Sequence, residues 1–320
     1  MIAEMAPSDE LEDALDRDLR AAARLLGPRD LRVLVDHYYA LQDLRLQVQN
    51  KTRAVAQGRD EGAAYIVGAM LARQVKLETA VKGQLGAWVA QRIEDAPQGP
   101  TAWAFRQAGI GPVIAAGLSS YLPGLERVDD ADERAAAIAA SPEGWERTEA
   151  RTKEGEIVRG WVRQRAVPPT VGHWWRHAGL DPTLVWGKGE KRPWNAALKT
   201  LCAYKIGESF VKVSGRTDAF YGALYRGRKA WELERDLRGD NAAAAAAALK
   251  SGSRWTAGQR KTYESGHLPP AQLHRRAVRW TVKLFLAHYH EVSYIAAYGK
   301  QPPLPYIIER GHAHKIERPE

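Results

Sequence analysis

The residues of this chain that suggest chemistry are glycines and cations rather than acids or nucleophiles. A short apolar stretch, Trp103-Ala104-Phe105, runs into Gly109-Ile110-Gly111, and a segment of small residues opens at Pro112. This matches the helix-hairpin-helix pattern of an apolar residue, Gly-apolar-Gly, then small residues on the next helix. The glycines permit a tight turn with positive φ, and their missing side chains let backbone N–H groups approach a phosphate. Pro112 suits a first helical position, where its lost N–H would have no partner anyway. The N-terminus of that helix then adds partial positive charge toward an anion. An ordinary helix–helix turn closed by glycine reads the same way, so the basic residues elsewhere decide between the two.

Those basic residues fall into four groups. Arg159, Arg163 and Arg165 surround Trp161 in EIVRGWVRQRAV (156–167), a short strand or hairpin that ends at Pro168-Pro169. A guanidinium pairs with phosphate while an indole can stack on a base, although a tryptophan that only packs its face gives the same pattern. Lys188, Lys191 and Arg192 project from a Gly/Lys/Arg loop over 187–193, and Asn195 opens a helix that carries Lys199. Arg226, Arg228 and Lys229 lie on a helix expected over 219–237. Arg275, Arg276 and Arg279 occupy the first turns of a long helix expected over 270–298. Cations at a helix start and along helix faces are well placed for phosphate oxygens.

Nothing comparable supports catalysis, a metal or a cofactor. GKGEK lacks the spaced leading glycine and the Ser/Thr of a Walker A loop, and neither a Gly-x-Ser-x-Gly elbow nor an HExxH motif occurs. The pairs His288/His290 and His312/His314 have no Cys or Asp/Glu cluster beside them and read as surface histidines. Cys202 is the only cysteine, which excludes a disulfide framework and a cysteine-rich zinc site and suits a reducing cytosol.

The elements that must position these groups read as helices. Leu11, Ala14, Leu19, Ala22 and Leu25 fall at helical spacing before Gly27-Pro28. Leu31, Leu34, Tyr38, Leu41, Leu44 and Val48 form a second stripe, and Val67, Met70, Leu77, Val81, Leu85 and Trp88 a third, with a turn from Gly58 to Gly62 between them. The fold expected is mainly all-α. A long N-terminal helical hairpin or coiled-coil arm over 1–97 serves dimerisation, followed by a basic helix-hairpin-helix domain over 98–320. An alanine tract, 242–248, begins a segment of low complexity over 238–268. Charge follows the same division: up to Ala150 there are 17 basic against 23 acidic residues, and after it 30 against 15. With a net charge of +9 and a pI near 9.6, the second half suits a polyanion. No stretch approaches the ~18 consecutive apolar residues of a membrane span. The acidic start, MIAEMAPSDELEDALDRD, does not read as a secretory signal.

GIGPVIAAGLSSYL, HAGLDP, KGEKRPWNAALKTL, AFYGALYRGRKAWE and RRAVRWTVKLFL follow one another in an order that resembles a known family. It is similar to the C-terminal transposase domain of the bridge-RNA-guided DEDD transposases named after insertion sequence one-ten. The resemblance covers roughly residues 100–290, with insertions near 125–170 and 238–268. It implies DNA recombination chemistry through a RuvC-like N-terminal nuclease domain and a serine in a Ser-Gly context after the AGLDP-like turn. This chain departs from both. Its first hundred residues are helical, and Trp186-Gly187 stands where Ser-Gly belongs; the nearest hydroxyl is Thr183.

The sequence therefore points to a nucleic-acid-binding protein related to that domain, without a strand-cleaving centre of its own. DNA is the first partner, with RNA open, and the chain acts as a homodimer on the nucleoid in the cytoplasm. The alternative is an active transposase or recombinase using a serine such as Ser209 or Ser214, or a nuclease partner in trans. The third reading is a structural DNA-bridging or RNA-binding protein.

Overall fold

The computed structural model describes residues 9–57, 61–122, 125–128, 135, 146–151, 157–164, 167–184, 186–187, 189–251, 254–305, 311 and 314–319; Gly58, Arg165, Lys188 and His312 lie outside them. The chain is mainly helical, as its periodicity predicts, and divides into two compact units. One comprises Met1–Ala102, Ala115–Pro169 and Ala296–Gly299; the other comprises Trp103–Ile114, Thr170–Ile295 and Lys300–Glu320.

In the first unit, α1 (Asp9–Arg24), α2 (Pro28–Gln57) and α3 (Glu61–Asp95) pack on one another. Gly27-Pro28 separates α1 from α2, with Pro28 at the first helical position and the Leu31 amide bonded to the Gly27 carbonyl at 2.9 Å. Trp88 Nε1 donates to the Leu26 carbonyl at 3.0 Å, while farther along Arg45 pairs with Glu78, so α2 and α3 run antiparallel. Their shared core is Leu31, Val35, Tyr38, Val81, Leu85, Trp88 and Val89. The expected apolar stripes do not stay buried along their length: Leu44, Met70 and Leu77 are 45%, 52% and 56% exposed. A two-helix ribbon lacks the further layer needed to cover them. The segment after α4 (Pro100–Arg106) and α5 (Pro112–Tyr121) adds a three-stranded antiparallel sheet of β1 (Leu125–Val128), β2 (Glu146–Arg151) and β3 (Ile157–Gln164), with β3 central.

The second unit contains α6 (Val171–His177), a helical run over 196–212, α9 (Phe220–Leu237), α10 (Ala242–Lys250), α11 (Ala257–Glu264) and all but the last residues of α12 (Pro270–Tyr298). The run over 196–212 is α7 (Ala196–Thr200), a π-helical turn (Leu201–Ile206) and α8 (Gly207–Lys212). Asn195 caps it, its side chain accepting from the Leu198 amide, as its position before an apolar face predicts. The core is aromatic and centred on α12. Phe285 stacks on Trp103 at 5.7 Å and meets Phe210 and Tyr221 edge-on at 5.3 and 5.2 Å, while Trp174 packs on Tyr289 at 5.7 Å. Such pairs add to the energy of area burial. The alanine tract is ordinary folded structure: α10 packs on α11 through Ala245, Tyr263, Leu268 and Leu273, with Trp255 against them.

Two histidines correct their sequence reading. His288 and His290 are each only 2% exposed, because α12 is enclosed from His288 to Tyr294. His288 Nδ1 is 2.7 Å from the Tyr221 hydroxyl and Nε2 is 2.7 Å from the Ile316 carbonyl. The C-terminal segment is thereby tied to α12, and Lys315 and Arg318 reach Glu291 at 3.6 and 3.5 Å.

Gly207 lets α8 press against α12, since a Cβ there would fall well inside the radius of Val278 Cγ1. Glycine-to-alanine in a helix normally gains up to about 1 kcal/mol. Here Gly207→Ala is expected to destabilise by about 1–3 kcal/mol through overpacking against a stiff β-branched side chain. Adding Val278→Ala should recover most of that loss in urea denaturation. His288 gives a pH prediction. Burial, followed by the opposing influence of the Ile316 carbonyl and Glu291, leaves its pKa below 6.5. The unfolded chain therefore binds more protons below about pH 6.5, and this contribution to stability, complete above that pH, is lost on acidification. Unfolding midpoints measured from pH 7 downward should fall more steeply for the native protein than for His288→Asn.

Candidate nucleic-acid interface

The Gly109-Ile110-Gly111 turn forms, but its two glycines do different things. Gly109 has φ +97°, and a Cβ there would stand 2.9 Å from Ser209 Oγ and 3.3 Å from Val213 Cγ2. Its carbonyl accepts the Ser209 hydroxyl. Gly109 is thus required by packing against α8. Gly111 does not take a positive φ, which corrects the expectation of two left-handed glycines, and a Cβ at Gly111 would meet nothing within 4 Å. The open face of the turn is at Gly111.

The expected cations among the described residues separate into four groups. Arg228 and Arg276 are structural. Arg228 binds the buried Glu232 at 2.7 Å and lies 3.8 Å over the Trp231 ring, while Arg276 reaches Asn241 Oδ1 at 2.8 Å and Glu232 at 3.8 Å. Two guanidiniums offset the charge of one buried carboxylate, which would be costly alone, although its Oε2 has no hydrogen-bond partner; both arginines are removed from the candidate surface. Arg159 and Arg163 lie on β3, in register with Glu149 and Glu126 of the neighbouring strands, in the first unit. Arg226 and Lys229 are exposed on α9.

The remaining cations converge on one surface of the second unit. Arg275 and Arg279 are exposed at four-residue spacing on α12, and Lys283 continues the row one turn on. Arg275 lies 5.9 Å over the Tyr204 ring, which the π-helical turn presents at 50% exposure. Lys199 lies 4.1 Å over Trp194, Arg192 5.3 Å over Trp186, and Lys283 4.1 Å over Trp175. Lys191 is exposed beside Arg192. The loop holding these rings is ordered by its own bonds. Trp186 Nε1 donates to the Glu190 carbonyl at 2.7 Å, the Gly187 amide to the Glu190 carboxylate at 2.9 Å, and the Asn195 amide to the His177 carbonyl at 2.9 Å. Gly179, at φ +62°, lets Trp194 and Lys199 pack against the AGLDP turn, where a Cβ would be 2.8 Å from Trp194.

Positive charge accumulates on this surface, with Asp181 beside Lys283 as a partial counterweight. Partial burial, then the charges of Arg279 and Arg192, hold the Lys199 ammonium below its usual pKa. Lys283 is likewise lowered by burial and by Arg279, with Asp181 opposing. Among the described residues, none of Lys191, Arg192, Lys199, Arg275 and Arg279 has a carboxylate within ion-pair distance. Lys199 and Arg192, stacked on indoles with no carboxylate in ion-pair distance, are suited to receive an external anion. Lys283, Trp175 and Trp194 were missed from sequence, although the spacing 275, 279, 283 carries the signal for the first.

The hydroxyls suited to strand attack are internally engaged. Ser209 donates to Gly109, Ser214 to the Val211 carbonyl at 2.7 Å, and Thr183 to Asp181 at 2.7 Å. Burial pushes the Cys202 thiol up to about 12, which makes it inert. Among the described residues no three His, Cys, Asp or Glu side chains group to hold a metal ion, and no helix is long and apolar enough to cross a membrane.

Gly109→Val is expected to lose about 1–3 kcal/mol from the strained φ and the clash with α8. Gly111→Ala should leave thermal unfolding within about 0.5 kcal/mol of the native protein, so it tests backbone contact at the turn separately from folding. No family model, curated protein or solved structure matches this chain, so its function is read from its own residues.

Proposed function

We propose that this chain is a nucleic-acid-binding protein, with DNA as its first partner, related to a transposase domain but lacking a strand-cleaving centre of its own. The observation that carries the reading is the row Arg275, Arg279 and Lys283, with Lys199 and Arg192 beside it, its cations stacked on Tyr204, Trp175, Trp194 and Trp186. Phosphates would be held by the cations, and the rings would supply stacking surface. The internal engagement of Ser209, Ser214 and Thr183 favours a binder over a recombinase.

Homodimerisation through 1–97 belongs to the same reading. Tyr65, Ile66, Met70 and Leu77 of α3 are 79%, 62%, 52% and 56% exposed, an apolar surface of the kind a second copy would cover. Nucleoid association in the cytoplasm follows from the DNA partner.

Salt titration tests the binding. If about six phosphates are contacted, log affinity for duplex DNA should fall with log salt at a slope near −5. Arg279→Ala should weaken binding of all sequences alike and reduce the slope by about 1. A flat salt response would mean that the basic row is only a solvated face. Suicide DNA substrates should give no covalent adduct, and a serine-linked phosphodiester seen by mass spectrometry would restore the recombinase reading.

A further inference from the structure

The basic row borders a cavity. Between α12 and the C-terminal segments 301–305 and 314–316 there is a pocket of about 430 Å3, lined by Trp175, Trp280, Lys283, Leu284, Ala287 and Pro303 among others. Its size falls within the about 300–1,000 Å3 of small-molecule sites, and its mixture of an apolar wall with a few polar groups is typical of them. The far side is set by His288 and Glu291, whose bonds to Ile316, Lys315 and Arg318 hold the returning chain against the helix. The 314–316 side of the pocket is therefore tied to α12 through the buried His288 and Glu291.

Two features of the pocket select a ligand. First, two of its lining residues are tryptophans already engaged by cations: Lys283 lies over Trp175, and Arg228 lies 5.3 Å over Trp280. Second, Lys283 belongs to both places, since it lines the pocket and also stands at the end of the row Arg275–Arg279–Lys283. A ligand seated here would have an aromatic or apolar body in the pocket and an anionic group at Lys283, continuing toward Arg279 and Lys199. A nucleobase with its own phosphate has that layout. Paired bases in a duplex do not, because their faces are covered by their neighbours.

We infer that the pocket receives one unstacked nucleobase, with its phosphate on Lys283 and the adjoining strand along Arg279 and Lys199. This rests on the nucleic-acid reading above and deepens it: the protein prefers strands with an unpaired base. The same chemistry exists in a free mononucleotide, and the two sources differ in whether the neighbouring phosphates contribute.

The full-length protein is titrated, by fluorescence anisotropy, with a labelled single strand of DNA, an abasic strand of equal length and charge, and the duplex of the same sequence. The intact single strand should bind about ten-fold more tightly than the abasic one, the effect of one stacked base. Ala287→Trp, which fills the pocket, should bring the single strand to the abasic level while duplex affinity stays within about twofold. Intact and abasic strands of equal affinity would overturn the inference, and so would a folded Ala287→Trp protein that keeps the preference. The comparison with the native protein decides the matter even if that variant fails to fold. Deoxyadenosine monophosphate that quenches tryptophan fluorescence and binds as tightly as the strand would overturn the strand form in favour of a free nucleotide. Binding of the duplex without a base effect removes the pocket alone, whereas no binding of any of the three probes removes the nucleic-acid reading itself.

Discussion

The closed packing around Phe285 fixes the rotation of α12 about its axis, and the geometry of the second unit depends on it. Phe285 is fully buried and meets rings from three other segments: Trp103 of α4, Phe210 of α8 and Tyr221 of α9. Aromatic contacts of this kind tolerate little rotation, because offset and edge-on arrangements are each satisfied at one orientation. With that face locked inward, residues 275, 279 and 283 lie on the other side of the helix, in a row set by its pitch. One long helix thus carries the core of the unit on one face and its candidate interface on the other. Gly207 enforces the same arrangement by admitting α8 against Val278 without a side chain between them.

Four cations of the candidate interface, Arg192, Lys199, Arg275 and Lys283, lie over aromatic rings. A lysine or arginine over an indole keeps its charge available to a ligand while its stem is immobilised. Arg228 and Arg276 show the contrasting use of the same residue types, with their charge consumed by Glu232 inside the fold. Both uses occur along the same helix, Arg276 turned toward Glu232 and Arg275 toward Tyr204. Adjacent arginines in RRAVR therefore have opposite roles.

Much of the fold was legible in the sequence. The bounds of α12 follow from Pro270 and an apolar period near 3.6, and Asn195 announces the helix at 196 by its capping chemistry. Other features were hidden because they depend on contacts distant along the chain. The burial of His288 is created by Tyr221 and by the return of Ile316, neither of which a local pattern reveals. The commitment of Arg276 to Glu232 and Asn241 is equally non-local, whereas Glu232 at four residues from Arg228 was readable as a helical pair. At Gly109-Ile110-Gly111 the motif signalled the turn correctly and left open which glycine faces a neighbouring helix. Only the position of Ser209 assigns that to Gly109.

The most direct measurement is made on the protein as it leaves the cell. Purified at low salt, it should carry nucleic acid that absorbs at 260 nm, can be sequenced, and dissociates as salt is raised. Arg275→Ala/Arg279→Ala/Lys283→Ala, folded by circular dichroism, should emerge largely free of it. A native protein that is clean at low salt, or a triple variant that retains the same load, would contradict the assignment of the α12 row as a nucleic-acid interface.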